Sequence, residues 1–186
     1  MPTQPDAPEP DLRDHPVAND GDALRLVTTL VERPIRRQLW FFCLDETGRP
    51  SKSILKIDIP PGPALPHDAI VIVELLSGAI GGGARGMVVA IEAGRALVSR
   101  RRQGLLRRIR QSRRDSALAD DVSWLALVTA TARRLRVCTA TPCPGPELCD
   151  ADRLDLRATL LVTADGIRCA TPDDLCTTLD AFEHMF

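Results

Sequence analysis

The sequence predicts one α/β domain, a mixed β-sheet with two β-hairpins packed by helices. Three observations carry that reading. Apolar residues recur at helical spacing in some stretches and in short strand-length runs in others, and the two kinds alternate along the chain. Two turn signals, Asp45-Glu46-Thr47-Gly48 and Asp165-Gly166, each separate a pair of strand-like runs. The length of 186 residues suits a single domain with appendages, and a hydrophobic share of 44% suffices for one core. Aromatic residues make up only 3% of the chain and tyrosine is absent, so that core is aliphatic.

Residues 1–20 carry prolines at positions 2, 5, 8, 10 and 16 among acidic residues, a composition that buries too little to fold; they are predicted to be a disordered tail, with the domain over 21–186. From Asp22 as N-cap, a short amphipathic helix sets Leu24, Val27, Leu30 and Val31 on one side and is closed by Pro34. Leu39 to Leu44 and Ile54 to Ile59 form the first hairpin, with Gly48 suited to positive φ at its turn. In the second of these strands Ile54, Lys56 and Asp58 alternate with Leu55, Ile57 and Ile59, so one face meets water. His67 or Asp68 then caps a helix over Ala69 to Ile80.

The stretch "GGGARGMVVAIEAGR" from Gly81 to Arg95 poses the question of a phosphate-binding loop. Such a loop needs strand, glycine turn and helix in that order, so that backbone N–H groups and the positive helix end face the anion. Here the glycines follow a helix and precede the apolar run Gly86 to Glu92, so they are predicted to be a C-cap and a tight turn feeding a buried strand.

Eight arginines follow, Arg100, Arg101, Arg102, Arg107, Arg108, Arg110, Arg113 and Arg114, in what is predicted as an insertion over 99–115. Leu105, Leu106 and Ile109 among them permit a short amphipathic helix. Asp120 or Asp121 is then predicted to cap a separate helix with Trp124, Leu125, Val128, Ala132 and Leu135 on one face. A strand over Val137 to Thr141, a loop to Asp152, a second hairpin turning at Asp165-Gly166, and a final helix from Pro172 complete the order. Asp173 and Asp174 in its first turn favour the helix dipole, and Leu175, Leu179 and Phe182 face inward.

A net charge of -1 argues against wholesale nucleic-acid binding and leaves the arginine segment as a local exception. The longest apolar run, Ala69 to Leu76, is broken by Glu74 and is shorter than the roughly 20 residues of a membrane span. The acidic, proline-rich start does not read as a leader, so a cytoplasmic location is expected, with the six cysteines as thiols. No C-x-x-C pair occurs. Cys138, Cys143 and Cys149, with Cys169, Cys176 or His184 as a fourth ligand, are the set a zinc ion would need, but Cys138 and Cys169 fall in predicted strands and no metal site is expected. Cys143 and Cys149 share a loop and are the pair most open to oxidation. His15, His67 and His184 have no partner set for a nucleophile, and no cofactor is expected.

The order of a hairpin with "LDETGR" at its turn, a helix, the buried run "GMVVAIE", an Asp-capped helix, a strand and a terminal Asp-Gly hairpin resembles RadC-like and JAB/MPN domains. In those families the buried strand ends in His-x-His, which binds a catalytic zinc together with an aspartate at the next helix start. Here that slot is Ile91-Glu92-Ala93, with no imidazole, so the resemblance implies a RadC/JAB-like scaffold lacking the zinc ligands. Gly82-Gly83, Asp121-Val122-Ser123-Trp124, Thr163 to Arg168 and Pro172 to Leu175 also resemble the pattern of a group of actinobacterial proteins, a likeness that implies no activity.

The function expected from all this is non-enzymatic association with an unknown protein partner. One alternative is a nucleic-acid accessory protein that uses the eight arginines as forked phosphate donors, nonspecifically because no aromatic residue is interleaved for base stacking. The other is an enzyme of unknown chemistry, with a polar pocket beside Glu92 and Asp121.

Overall fold

The computed structural model describes residues 15–31, 36–93, 106–137, 152–163 and 165–183. The first hairpin closes as its turn composition dictates. Asp45 Oδ1 accepts from the N–H of Thr47 (2.8 Å) and of Arg49 (2.9 Å), and Gly48 takes φ 77°. That turn joins β1 (Gln38–Leu44) to β2 (Pro50–Asp58) in antiparallel register, with Leu39 opposite Ile57 and Phe41 opposite Leu55. β2 is an outer strand opened by a proline and carrying exposed Lys52 and Lys56, which matches the half-solvated strand expected.

The run after the glycines forms β3 (Gly86–Glu92), and all seven of its residues are buried. It pairs antiparallel with β1 and parallel with β6 (Asp155–Thr163), and β7 (Gly166–Cys169) completes a mixed sheet in the order β2-β1-β3-β6-β7. A parallel pair at the centre of a sheet requires cover on both faces. Val88 and Ala90 point with Phe42 and Leu160 toward α1 (Asp20–Leu30). Met87, Val89 and Ile91 point with Leu39 and Phe41 toward α2 (Asp68–Gly81), α3 (Leu106–Arg134) and α4 (Pro172–Glu183). The result is three layers, one helix on one face and three on the other.

Several boundaries differ from the sequence expectation, each for a local reason. The N-cap of α1 is Asn19, not Asp22: the Asn19 side chain accepts from the Asp22 N–H at 3.1 Å while Asp22 accepts in return from the Asn19 N–H, a reciprocal capping box. Val17, only 3% exposed, donates its N–H to Gly48 O at 2.8 Å, so residues 15–20, expected in the tail, belong to the fold. Ala23, Leu26 and Val27 are the buried residues of α1, with Leu24 and Leu30 packed partly against the same cluster. Pro34 and residues 1–14 lie outside the described residues.

α2 ends as the glycines predict. Gly82 is the C-cap and Gly83 has φ 96°. The Gly83 N–H bonds to Ile80 O at 2.9 Å and the Ala84 N–H to Ala79 O at 3.0 Å, the paired bonds of a Schellman motif.

α3 is the largest departure. Asp120 and Asp121 do not cap a helix; they lie inside one of 29 residues that begins at Leu106. The last part of the predicted insertion is therefore the start of α3, because its Arg, Leu and Gln residues are strong helix formers. Every residue from Asp121 to Ala132 is buried, so this half of α3 is a central helix rather than an amphipathic one.

β4 (Arg136–Val137) pairs only with β5 (Asp152–Arg153) in a small separate sheet; the remainder of the strand expected to Thr141 lies outside the described residues. In the second hairpin Thr163 pairs with Gly166, so the connection is residues 164 and 165 and Gly166 opens β7 with φ 138° instead of sitting in the turn. α4 begins where predicted. Thr171 Oγ1 accepts from the Asp174 N–H (3.2 Å), the Thr171 N–H donates to Asp174 (2.8 Å), and Leu175, Leu179 and Phe182 enter the core.

Candidate functional site

Glu92 and Asp121 are both 3% exposed. Glu92 ends β3 on the face that Val88 and Ala90 turn toward α1, whereas Asp121 lies on α3 against the other face. On the α1 side, Glu92 Oε1 accepts from the Arg36 N–H at 3.1 Å and Oε2 from Trp40 Nε1 at 3.0 Å. Trp40 stacks on Phe42, with centroids 6.0 Å apart, and carries Lys56 Nζ at 4.4 Å from its own centroid. On the other side, Arg37 Nε donates to Asp121 Oδ1 at 2.7 Å, and Nη1 donates to Gly62 O at 3.1 Å and to Pro60 O. Burial pushes the Asp121 carboxyl up, and Arg37 partly offsets this.

The next residues of α3 complete this anchorage. Ser123 Oγ accepts from the Ala64 N–H at 2.7 Å and Trp124 Nε1 donates to Gly62 O at 3.2 Å. One turn of α3 thus holds the 60–64 loop, and Glu92 and Asp121 serve separate structural networks rather than facing a common space. Neither lines a described cleft.

The loop held in this way delivers the chain into α2, whose outer side is apolar at one end and bare at the other. Leu65, Ile70 and Val71 are exposed at 47%, 63% and 51%. Glu74, Ser77, Gly78 and Gly81 are exposed along the turns that follow, and a Cβ added at Gly78 or Gly81 would meet nothing within 4 Å. Sequence reasoning gave α2 its C-terminal end, but His67 holds the N-cap position without the side-chain cap bond expected of His67 or Asp68, and the outer side was not separated from the inner, since Ile, Val and Leu surround most of the helix.

The arginine segment divides. Arg100, Arg101 and Arg102 lie outside the described residues, whereas Arg107, Arg108, Arg110, Arg113 and Arg114 belong to the first turns of α3. Residues 115–119, between these turns and the buried half, are exposed.

At the opposite end of the sheet a cleft of about 690 Å³ opens between the start of β6, the end of β7 and the first turns of α1 and α4. Cys169, Cys176 and Asp20 line it, as do Asp155 and Arg157, paired at 2.6 Å. Burial first, and the Asp20 carboxylate second, push the Cys169 thiol up, the reverse of what a nucleophilic thiolate needs. Cys138, Cys143, Cys149 and His184 lie outside the described residues. Among the described residues no group of three or more His, Cys, Asp or Glu is placed to hold a metal ion, and no helix is long and apolar enough to cross a membrane.

No protein-family model, curated protein or solved structure matches the chain.

Proposed function

We propose that the chain is a cytoplasmic, non-enzymatic protein-association domain that docks through the outer side of α2. The observation that carries this is the cluster of Leu65, Ile70 and Val71, each at least 47% exposed, within seven residues of chain. Single exposed aliphatics are ordinary, but a contiguous cluster marks surface meant to be covered, because burying one such side chain fully is worth about 1.5–3 kcal/mol. The absence of imidazoles at Ile91 and Ala93, where the resemblance to RadC/JAB domains would place them, accords with a scaffold role.

A photo-cross-linking amino acid at position 70, compared with one at exposed position 52 on β2, tests the proposal in cells that express the chain. The expected result is a discrete adduct from position 70 that is lost when Val71→Lys is added. Equal labelling from both positions, or no adduct from position 70, overturns it.

A second reading, nonspecific nucleic-acid binding, is favoured by five arginines in the first turns of one continuous helix. Retention of labelled duplex across a salt series tests it with wild type beside an Arg107→Ala, Arg108→Ala, Arg110→Ala variant. The variant is expected to bind more weakly with a shallower salt slope, and superimposable curves eliminate this reading.

A further inference from the structure

The outer side of α2 has a polarity along its length. Bulk lies at the N-terminal end, in Ile70 and Val71 with Leu65 beside them, and there is no bulk at the C-terminal end, where Gly78 and Gly81 border open space. Charge follows the same axis. Asp68 opens the helix, Glu74 stands at its midpoint, and the cation Arg85 follows its end.

A surface with protrusions at one end and recesses at the other complements itself when one copy is turned end for end. With the helices antiparallel and crossing near Leu76, Val71 of each copy stands over Gly81 of the other and Ile70 over its glycine turn. Glu74 then meets Ser77 and Gly78, so its carboxylate faces a hydroxyl donor, and Asp68 comes alongside Arg85. A parallel alignment would instead set Glu74 against Glu74 and leave bare glycine facing bare glycine.

We propose that the occupant of this surface is a second copy of the chain, with the two α2 helices packed antiparallel across a twofold axis. This rests on the association reading above and names its partner. Glycine at 78 and 81 lets the two backbones approach closely, and charge complementarity along the helix selects the antiparallel arrangement over the parallel one.

Sedimentation of the full chain over a concentration series, with wild type, Val71→Lys and Gly78→Leu, tests it. Wild type is expected to reach twice the mass of one chain. Val71→Lys and Gly78→Leu are expected to raise the dissociation constant by at least about tenfold, equivalent to about 1.4 kcal/mol. Gly78→Leu separates loss of the interface from loss of the fold. A Cβ at that position meets no atom of the protomer within 4 Å and leucine is a better helix former than glycine, so the melting temperature measured at dilutions where wild type is monomeric should not fall.

A Gly78→Leu variant that dimerises as tightly as wild type overturns the proposed packing. Monomeric wild type overturns the second-copy inference outright. If the position-70 adduct then contains a different protein, the association reading stands alone; if there is no adduct either, both fall.

Discussion

Replacing Arg37 with leucine probes the clamp between α3 and the sheet. The substitution leaves Asp121, 3% exposed, without its cation, and the carbonyls of Pro60 and Gly62 without their donor. Removing one partner of a buried ion pair costs about 3–5 kcal/mol; because the Arg37 side chain retains 18% exposure, about 3 kcal/mol is expected.

The deficit should also depend on pH. Burial already raises the Asp121 carboxyl, and Arg37 is the main influence holding it down, so the variant raises it further. A carboxyl raised in the folded state contributes stability that is complete below its unfolded pKa of about 3.9 and is lost as pH rises through the folded value. The gap between variant and wild type is therefore widest at neutral pH and narrows toward about pH 4. Changing Asp121 to leucine as well removes the uncompensated charge and should recover most of the loss. Urea unfolding followed by tryptophan fluorescence reads this directly, since Trp124 hydrogen-bonds to the same loop. A neutral-pH deficit under about 1 kcal/mol, an equal deficit at both pH values, or a double variant no better than the single one would refute the reasoning.

Asn19→Ala removes the side-chain half of the α1 capping box and should cost about 1 kcal/mol in thermal unfolding; an unchanged melting temperature contradicts the Asn19 cap. Asp174 is held well below the usual carboxylate range, chiefly by Arg168 at 2.8 Å and then by Thr171. A depressed carboxyl stabilises above its unfolded pKa and loses that contribution on acidification, so wild type should exceed Asp174→Asn by about 0.5–1 kcal/mol at neutral pH, with the advantage shrinking below about pH 4 in denaturant titrations. Gly83→Ala, at φ 96°, should destabilise by about 1 kcal/mol. Gly78→Ala, measured at dilutions where the chain is monomeric, adds a Cβ that meets nothing within 4 Å and should stabilise by about 0.5–1 kcal/mol; effects of the same sign in urea unfolding contradict the cap geometry.

The features legible in the sequence are those fixed by neighbours along the chain. Asp45 to Gly48 encode their own turn, Gly82-Gly83 their own helix end, and Pro172 to Asp174 their own helix start, because each needs only backbone groups a few residues away. Asn19 was hidden because it follows a proline-rich acidic stretch and its capping role depends on Asp22, itself a plausible cap. Asp120 and Asp121 have the composition of a helix start, but the helix-forming Arg, Leu and Gln residues before them carry α3 back to Leu106, so the two aspartates fall mid-helix. Glu92 and Asp121 resemble companions because both are carboxylates near one end of the sheet; alternation along β3 turns Glu92 with Val88 and Ala90 toward α1, while Asp121 sits on α3 against the opposite face. The outer side of α2 was unreadable for another reason, since a helix apolar all round carries no periodic mark of which side its own fold covers.

The parallel ladder at the middle of the sheet has a consequence for biogenesis. Gly86 pairs with Asp155 and Glu92 with Val162, so β3 stays half-paired until the segment through Val162 has left the ribosome. The β1–β2 hairpin and its seam with β3 can assemble early, but the far edge of β3, a strand buried along all seven of its residues, has to wait. Nascent chains stalled between β3 and β6 should therefore be the species that engage chaperones most strongly, and slow translation through the intervening α3 would prolong that exposure.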